Sequence, residues 1–377
     1  MKTNFKNKII GDALTFDDVT LIPGIAKVPA HKVSTKSRLT KKINLEIPII
    51  SAAMDTVTGA KMAIRMAQLG GLGMIHRNLS IKEQAKEVEK VKKAKAEKGS
   101  AIDKNKKLLV AAAIGTSGDY LKRVEALANA GVDIVSIDLA HGSTEWARKA
   151  IFEIKKRFKD IGLIAGNAAN YEGARYLADA GADSIKVGIG GGSICTTRVI
   201  TGVGVPSVTA ITEVKRALAS YNLPLIIDGG LRYSGDLVKA IVAGADCGMC
   251  GSLLAGTNEA PGRMIKKDGC KYKLYRGMSV KEAMNSRTKD RYYSKDNEEA
   301  HTSQGVSGLV ACKGSAQTII DVFIGGVKAG MENIGVANIK KLQENGKFYR
   351  VSDAGFKEGH PHDIRMVKNE INYSKEQ

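Results

Sequence analysis

Cysteine, aromatic residues and long apolar runs are all scarce in this chain of 377 residues. The chain has only five cysteines, and this sparse, odd count argues against a disulfide framework and favours a reducing compartment. Aromatic residues make up only 5% of the sequence. No apolar run approaches the roughly 18 residues of a membrane-spanning helix, and the basic N-terminus lacks the apolar stretch of a signal peptide. We therefore expect a soluble, cytoplasmic protein.

The charge is strongly unbalanced, with 58 Lys and Arg against 39 Asp and Glu and a formal net charge of +19. Such an excess can serve nucleic acids or anionic substrates. The lysine-rich stretch at 86–107 mixes Lys with Glu, however, and lacks the interleaved aromatic residues of a single-strand binder. We interpret it as a solvated helix face and expect no nucleic-acid binding.

Short apolar segments alternate with helical patterns along the chain. Strands are predicted over 47–52, 71–75, 108–114, 133–138, 162–166, 183–187, 224–228 and 246–251, and helices over 59–69, 81–97, 120–130, 144–158, 171–180, 210–220 and 235–242. The sequence Ala-Gly-Ala/Val-Asp recurs at 130–133, 180–183 and 243–246, where glycine should end a helix just before a strand. Eight such units predict one α/β domain over 1–377, a (β/α)8 TIM barrel with its active site at the C-terminal ends of the strands.

Two segments depart from a plain barrel. Residues 98–106 are polar and are predicted to form a short linker after a charged helix. Residues 256–314 are predicted to be long and irregular, with a mobile flap over 280–303. A long charged loop at a catalytic face is more often a lid than a passive connection, so the flap is expected beside the active site.

A glycine-rich loop with a single cysteine follows the sixth predicted strand, in the sequence Lys186-Val-Gly-Ile-Gly-Gly-Gly-Ser-Ile-Cys195. Glycines let the backbone approach a ligand closely, and a lone thiol in such a loop is a candidate nucleophile. On the loop alone, an incidental packing cysteine is an equally good interpretation. Cys247 and Cys250 form a C-x-x-C inside an apolar strand without a second pair at zinc-site spacing, so we interpret them as packing residues.

Polar residues stand at the ends of several predicted strands and should meet at one rim of the barrel. Glycine-rich turns after the seventh and eighth strands, at 228–230 and 251–252, are typical phosphate cradles of this fold. Asp138 and Asp228 are candidate ligands of ribose hydroxyls, although each aspartate alone is also a common turn former. Together with the thiol, these features predict a site for a phosphorylated nucleotide beside a dinucleotide.

Distinctive motifs lie along nearly the whole chain. They are Leu14-Thr-Phe-Asp-Asp-Val19, Ala53-Met-Asp-Thr-Val-Thr58, Asp138-x-Ala-His-Gly142, Gly166-Asn167, Gly188-Ile-Gly-x-Gly-Ser-Ile-Cys-Thr-Thr-Arg198, Gly202-Val-Gly-Val-Pro206, Asp228-Gly-Gly-Leu-Arg-Tyr-Ser-Gly-Asp236, Gly251-Ser-Leu-Leu-Ala-Gly-Thr257, Tyr275-Arg-Gly-Met278, Arg291-Tyr292, Gln304-Gly-Val-Ser-Gly308 and Glu358-Gly-His-Pro-His-Asp363. Together they resemble the motifs of the IMP dehydrogenase / GMP reductase family. The cysteine loop and the motif after the seventh strand are the most specific. The resemblance implies an oxidoreductase of GMP biosynthesis that works as a homotetramer.

The resemblance also implies a role for individual residues. Cys195 would attack C2 of IMP and a hydride would pass to NAD, after which Arg291, with Tyr292 and Thr197, would activate the water that releases XMP. The remaining implied roles are IMP binding by Met54, Ser193, Asp228, Gly230, Gly251, Ser252, Tyr275, Gly277, Met278 and Gln304, NAD binding by Asp138, Asn167, Gly188 and Gly190, and potassium (K+) binding by Gly190, Gly192 and Cys195 with Glu358, Gly359 and His360 from a neighbouring subunit.

A second activity within the same family stays open. Leu139, Thr201 and Ser279 look more like GMP reductase, which would use the same cysteine and NADPH to convert GMP to IMP. The Arg291-Tyr292 pair and Gln304 favour the dehydrogenase, as does the His-Pro-His-Asp tail at 360–363.

The linker at 98–106 stands where most of the family carries a pair of regulatory CBS domains. The resemblance therefore implies that nucleotide regulation through such domains is absent here. A further alternative is a nucleotide-binding regulator on the same barrel, which would require Cys195 to be chemically inert.

Overall fold

A closed barrel of eight parallel strands forms the centre of the computed structural model, which describes residues 8–280, 283, 302–367 and 370–373. The barrel strands are β4 (Ile49–Ser51), β5 (Leu72–Ile75), β6 (Ala111–Ile114), β7 (Ile134–Asp138), β8 (Gly162–Ala168), β9 (Ser184–Val187), β10 (Leu225–Asp228) and β11 (Cys247–Cys250). They pair in chain order, and β11 pairs with β4 to close the barrel. The predicted (β/α)8 barrel is confirmed, with every strand end within three residues of its prediction.

Helices surround the barrel. They are α1 (Ala60–Gln68), α2 (Ile81–Lys93), α3 (Tyr120–Asn129), α4 (Glu145–Arg157), α5 (Tyr171–Asp179), α6 (Thr197–Thr201), α7 (Ser207–Leu218), α8 (Ser234–Ala243), α9 (Ala316–Ile334), α10 (Ile339–Asn345) and α11 (Asp353–Glu358). Polar side chains cap the N-termini of several helices. At the start of α2, the side chain of Ser80 accepts a hydrogen bond from the backbone N–H of Glu83. Among the described residues, no helix has the length and apolar character needed to cross a membrane.

The sequence patterns predict α1 to α5, α7 and α8 but not α9, which takes the eighth helix position. Glycines inside α9 weaken its helical signal, since glycine is a poor helix former. Close packing against α8 explains two of them. A Cβ atom at Gly326 would lie 2.1 Å from the hydroxyl of Ser234, and one at Gly330 would lie 3.0 Å from Val238.

The hydrophobic core has two layers, one on each side of the barrel wall. Ile50, Leu72, Met74, Ala111, Ala113, Ile134, Ile164, Ile226, Cys247 and Met249 form the smaller cluster. Their sequence neighbours in the strands pack in the larger cluster, together with the helices. Because side chains alternate along a strand, the smaller cluster lines the barrel interior. Cys247 and Cys250 are buried free cysteines in β11, which agrees with their interpretation as packing residues.

The recurring Ala-Gly-Ala/Val-Asp sequence forms the same hydrogen bond at the starts of three strands. Asp133, Asp183 and Asp246 accept the backbone N–H groups of Val110, Leu163 and Leu225 at 2.8, 2.8 and 2.9 Å. Each aspartate therefore ties its own strand to the strand before it. In two cases a lysine on a helix also forms an ion pair with the aspartate. Lys92 lies 2.6 Å from Asp133, and Lys155 lies 2.7 Å from Asp183.

Asp183→Ala should lower the free energy of unfolding by about 1–2 kcal/mol, because it removes a charged hydrogen bond and a partly exposed ion pair together. Chemical denaturation with the midpoint and slope fitted separately would measure the change. Glu89→Ala is the matched control, since the Lys93–Glu89 pair is exposed and should contribute less than about 0.5 kcal/mol. Equal effects of the two substitutions would contradict the assigned role of Asp183.

The predicted irregular stretch 256–314 is ordered in part, and that prediction is wrong for its described ends. β12 (Ile265–Lys267), β13 (Cys270–Arg276) and β14 (Ser307–Ala311) form an antiparallel sheet there. Their charged and mixed sequences hide the strands, because much of this sheet is exposed and shows no apolar run. Most of the predicted flap at 280–303 lies outside the described residues, but β13 and β14 are the two strands that lead into it and out of it.

The remaining short elements frame the barrel. These are β1 (Val19–Leu21), β2 (Ser37–Arg38), β3 (Asn44–Leu45), β15 (Phe348–Arg350) and two 3-10 helices at Phe16–Asp18 and Ala30–Lys32. Leu39 and Leu45, in and beside the β2–β3 hairpin, belong to the interior cluster of the barrel. The polar linker at 98–106 is a compact turn in which Asp103 accepts the backbone N–H groups of Asn105 and Lys107.

Candidate active site

The glycine-rich loop after β9 is folded tightly around the side chain of Arg198. Arg198 donates from Nε to the carbonyl of Ile189 at 2.8 Å and from its terminal nitrogen to the carbonyl of Val205. A Cβ atom at Gly190, where φ is +75°, would lie 2.4 Å from Arg198 Cγ. Only glycine is compatible with that position, because the conformation is left-handed and the space is filled.

Cys195 lies half-buried at the end of this loop, directly before α6. Its backbone N–H donates to the carbonyl of Gly192 at 3.0 Å, which closes a tight turn. Its Sγ atom lies 3.2 Å from Oγ1 of Thr197, a buried residue. The hydroxyl that the resemblance assigns to catalysis is thus in hydrogen-bond contact with the candidate nucleophile.

The segment leading into β14 runs antiparallel to the cysteine loop. The backbone of Thr196 donates to the carbonyl of Gln304 at 3.0 Å, and that of Val306 donates to Ile194 at 3.0 Å. A Cβ atom at Gly305 would lie 2.9 Å from the hydroxyl of Ser279 and 3.1 Å from Ile194 O. Gln304 is therefore placed beside Cys195 by the main chain itself.

The loops after β10 and β11 leave backbone N–H groups without partners. The amides of Gly230, Ser252 and Leu253 donate to no acceptor within the described part of the chain. Gly229 and Gly230 have φ values of +88° and +80°, which turns the chain sharply after Asp228. A Cβ atom at Gly229 would lie 3.0 Å from the amide nitrogen of Gly192, so the loops after β9 and β10 are in contact. Unpaired amides in glycine-rich turns are suited to an anion.

Tyr275, at the end of β13, reaches over the same turns and is 5% exposed. Burial raises the pKa of its hydroxyl to about 12, while a hydrogen bond with Ser193 acts in the opposite direction. The hydroxyl also lies 3.9 Å from the sulfur of Met54. Gly251 is enclosed by these groups, since a Cβ atom there would lie 2.9 Å from the Tyr275 oxygen. The predicted nucleotide-binding residues Met54, Ser193, Gly251 and Tyr275 are brought together.

Lys186 forms an ion-pair network that closes the top of the barrel interior. Its neighbours Ile185 and Val187 pack outward, so Lys186 points inward, and it is 1% exposed. Its ammonium group lies 2.9 Å from the carboxylate of Asp138 and contacts Asp228 and the side-chain oxygen of Asn167. Asn167 also donates to Asp228 at 3.0 Å and to the carbonyl of Gly188 at 2.6 Å.

The sequence predicts Asp138, Asn167 and Asp228 in the site but indicates no role for Lys186. The signal was available, because a lysine at an inward position of an apolar strand has to be paired. The network joins the carboxylate expected on the nucleotide side with the one expected on the dinucleotide side.

A second ion pair, also missed, fixes the strand that carries Tyr275. Arg276 contacts both carboxylate oxygens of Asp55, at 2.5 and 3.3 Å, and its backbone N–H lies 3.4 Å from the hydroxyl of Thr56. Asn78 donates to the same carboxylate at 2.9 Å. The loops after β4 and β5 are thereby bound to the end of β13, so two motifs far apart in sequence form one contact.

Arg276→Met should raise the KM for the nucleotide about tenfold while the protein stays folded, because Tyr275 and Gly277 lose the bidentate anchor of their strand. Steady-state kinetics with Asp55→Asn and the double variant would measure the coupling between the two side chains. Additive effects of the single substitutions would contradict the anchor. Arg216→Met, which removes an exposed i,i+3 partner of Glu213, is the control and should leave KM unchanged.

The other predicted site residues lie outside the described residues or at the end of α11. Arg291 and Tyr292 lie outside the described residues. Glu358, Gly359 and His360 stand at the end of α11, where His360 packs against Phe356 and Tyr373. Tyr373 in turn stacks on Tyr233 at 5.7 Å. These contacts do not bring the three residues to the cysteine loop of the same chain.

Phe16, in the first motif, packs against the glycine turn after β10. It is buried, and its ring edge would lie 3.5 Å from a Cβ atom at Gly230. Lys239 of α8 donates to its carbonyl at 2.9 Å, and Arg232 pairs with Asp17 next to it. The N-terminal motif therefore has a supporting role that its sequence alone does not reveal.

Known proteins resemble this chain along almost its whole length. The sequence model of the IMP dehydrogenase / GMP reductase domain matches residues 13–362. Proteins named inosine-5'-monophosphate dehydrogenase are similar to it in Borreliella burgdorferi, at 43% identity over 96% of this chain and 99% of the relative, and in Aquifex aeolicus, at 38% over 97% and 98%. A Streptococcus pyogenes relative of the same name is 37% identical over 99% of both chains.

The alignments differ in length. Those with the Aquifex and Streptococcus relatives run over 482 and 492 positions, against 377 residues in this chain, whereas the Borreliella alignment runs over 401. The two longer relatives thus hold a large segment that this chain lacks, as expected for a form without CBS domains. The family match and the extent of these alignments leave one assignment: the chain belongs to the IMP dehydrogenase / GMP reductase family.

Proposed function

We propose that this chain oxidises IMP to XMP with NAD as the hydride acceptor, through a covalent intermediate on Cys195. The observation that carries the proposal is the position of the thiol. Its loop contacts both the unpaired amides after β10 and the residues around Lys186, so a purine nucleotide and a dinucleotide could meet beside the sulfur.

The nucleotide phosphate would bind the amides of Gly230, Ser252 and Leu253 with the hydroxyls of Ser193 and Tyr275. Asp228 would hold the ribose, and Gln304 would contact the edge of the purine ring. Met54, Gly251, Gly277 and Met278 would enclose the nucleotide. This arrangement fixes C2 of the base near Cys195, which is the main requirement for attack by a thiolate.

The covalent chemistry then proceeds in two stages. The sulfur of Cys195 forms a bond to C2, and the hydrogen of C2 leaves with its electron pair. Asp138, Asn167, Gly188 and Gly190 would hold NAD, which would accept that hydride. Water next adds to the same carbon, gives a proton to a base and displaces the sulfur, which releases XMP. Thr197 is in contact with the leaving sulfur, and Arg291 with Tyr292 would activate the water from the flap.

Potassium would suit the carbonyl oxygens at the cysteine loop. The carbonyls of Gly190 and Cys195 accept no hydrogen bond within the described part of the chain, and that of Gly192 accepts only the amide of Cys195. Hard cations prefer such oxygen ligands. Glu358, Gly359 and His360 would come from a neighbouring subunit, which makes a homotetramer part of the proposal. The turn at 98–106 would mark the position of the missing CBS domains.

Absorbance of the reduced nicotinamide tests the reaction directly. IMP with NAD should produce reduced cofactor, and XMP should be found by chromatography. Oxidation of NADPH in the presence of GMP, with no response to IMP, would replace the proposal by GMP reductase, which Leu139, Thr201 and Ser279 resemble. Nucleotide binding without either reaction would support the regulator on the same barrel.

A further inference from the structure

Lys313 follows β14 and binds the turn after β11. It contacts the carbonyl side of this turn, whose other side carries the unpaired amides. Its ammonium group donates to the carbonyl oxygens of Ser252 at 2.5 Å and Leu253 at 3.3 Å. Its backbone N–H donates to the carbonyl of Gly256 at 3.1 Å. One residue therefore binds both the start and the end of the turn that carries Ser252.

Peptide geometry connects these carbonyls with the amides on the other side. A trans peptide points its C=O and N–H in opposite directions. The bond from Lys313 to the carbonyl of Ser252 consequently directs the N–H of Leu253 away from the ammonium group. That amide is one of those without an acceptor in the described chain, whereas the next one, of Leu254, donates to Gly251 at 3.1 Å.

No carboxylate of the described residues forms an ion pair with Lys313. It lines a cavity of about 230 Å³ with one other cation, Arg232, which is paired with Asp17 and Asp236. The titratable rings at this cavity are those of Tyr233 and Tyr373. Desolvation of the ammonium group lowers the pKa of Lys313 to about 8, although the residue as a whole is exposed. Within the described part of the chain, its charge is thus balanced by the dipoles of carbonyl groups.

We propose that Lys313 is a positioning residue for the nucleotide phosphate and acts through the peptide that joins Ser252 to Leu253. The protonated lysine holds the carbonyl of Ser252 and so keeps the amide of Leu253 directed at the phosphate, and its positive charge polarises that peptide in the same sense. Its contact with the carbonyl of Leu253 fixes the next peptide, whose amide closes the turn on Gly251. The inference rests on the proposed function, since that function places a phosphate at this turn.

Binding of IMP and inosine to the Cys195→Ala protein tests this role, because that background allows binding without turnover. Lys313→Met should weaken IMP binding about tenfold, equivalent to one charged hydrogen-bond system, and leave inosine binding unchanged. Lys313→Arg should restore most of the affinity for IMP. Lys273→Met is the matched control, since Lys273 donates to the carbonyls of Thr257 and Ala260 at 2.8 and 2.7 Å.

The pH profile gives a readout that a purely structural lysine would not. Above about pH 7, where the phosphate of IMP is fully ionised, the ratio of IMP to inosine affinity should fall as the pH rises through about 8 and should be flat in Lys313→Met. Taking the ratio cancels the ionisation of the purine, which both ligands share. Lys313→Arg, whose guanidinium stays charged through this pH range, should also give a flat profile, so the point is decided even where Lys313→Met fails to fold.

Each outcome has a distinct meaning. An unchanged ratio in Lys313→Met, together with a flat profile for Lys313, would overturn the positioning role while leaving the proposed function intact. Equal loss of ratio in Lys273→Met would also overturn it, because any carbonyl-bound lysine would then have the effect. Failure of the Cys195→Ala protein to prefer IMP over inosine would instead remove the phosphate site on which the proposed function depends.

Discussion

Cys195→Ala should lower the rate of NADH formation by at least about a thousandfold, because it removes the thiol that the proposed mechanism bonds to the purine. IMP binding should change by less than about threefold, since the amides of Gly230, Ser252 and Leu253 and the hydroxyl of Tyr275 remain in place. The rate is measured by absorbance and the affinity by calorimetry. Residual turnover of more than a few per cent would contradict a covalent mechanism.

Alkylation provides an independent check on the same thiol. Cys247 and Cys250 are buried, and burial raises the pKa of the Cys250 thiol to about 12, so neither should react. Cys270 is exposed and Cys312 is half-buried, so both can react whether or not a nucleotide is present. In a Cys270→Ala protein, which is also the matched control for turnover, IMP should protect Cys195 from iodoacetamide, and mass spectrometry of the labelled peptides would separate Cys195 from Cys312. A lack of protection would place the nucleotide elsewhere.

Regular features of the sequence predicted the fold well, because they are local. Short apolar segments, helical patterns and the repeated Ala-Gly-Ala/Val-Asp element each depend on a few consecutive residues. α9 was missed for the opposite reason. Gly326 and Gly330 are required by contacts with Ser234 and Val238 of another helix, and those contacts have no signal within α9.

In the site, too, local motifs were predicted from the sequence, whereas contacts between residues far apart in the chain were not. The cysteine loop, the glycine turns and Asp138 were recognisable as motifs at strand ends. The partners that hold them were not, since Asp55 and Arg276 are separated by 221 residues and Lys313 reaches Ser252 across 61. Lys186 is the intermediate case. Its inward position followed from the strand pattern, but its two carboxylate partners became evident only when the four neighbouring strands β7 to β10 were seen together.

Lys186→Met should be the most damaging substitution outside the cysteine loop. It leaves Asp138 and Asp228 near each other at the top of the barrel without their shared cation. Breaking a buried ion pair from one side costs about 3–5 kcal/mol of stability. The same loss displaces Asn167, and a shift of about 1 Å at a reacting site can lower the rate a hundredfold, so kcat/KM should fall at least that far. Denaturation and steady-state kinetics with both substrates would measure the two effects.

Two further variants separate the stability of this network from its function. Lys186→Met with Asp138→Asn removes the excess negative charge, so it should regain most of the stability while the KM for NAD stays high. Lys92→Met is the matched control, because Lys92 is also buried between two aspartates, Asp103 and Asp133, at the opposite end of the barrel. It should destabilise the protein similarly and leave both KM values unchanged. If Lys92→Met and Lys186→Met changed the kinetics equally, Lys186 would be a structural residue only, and the two carboxylates would bind their ligands without it.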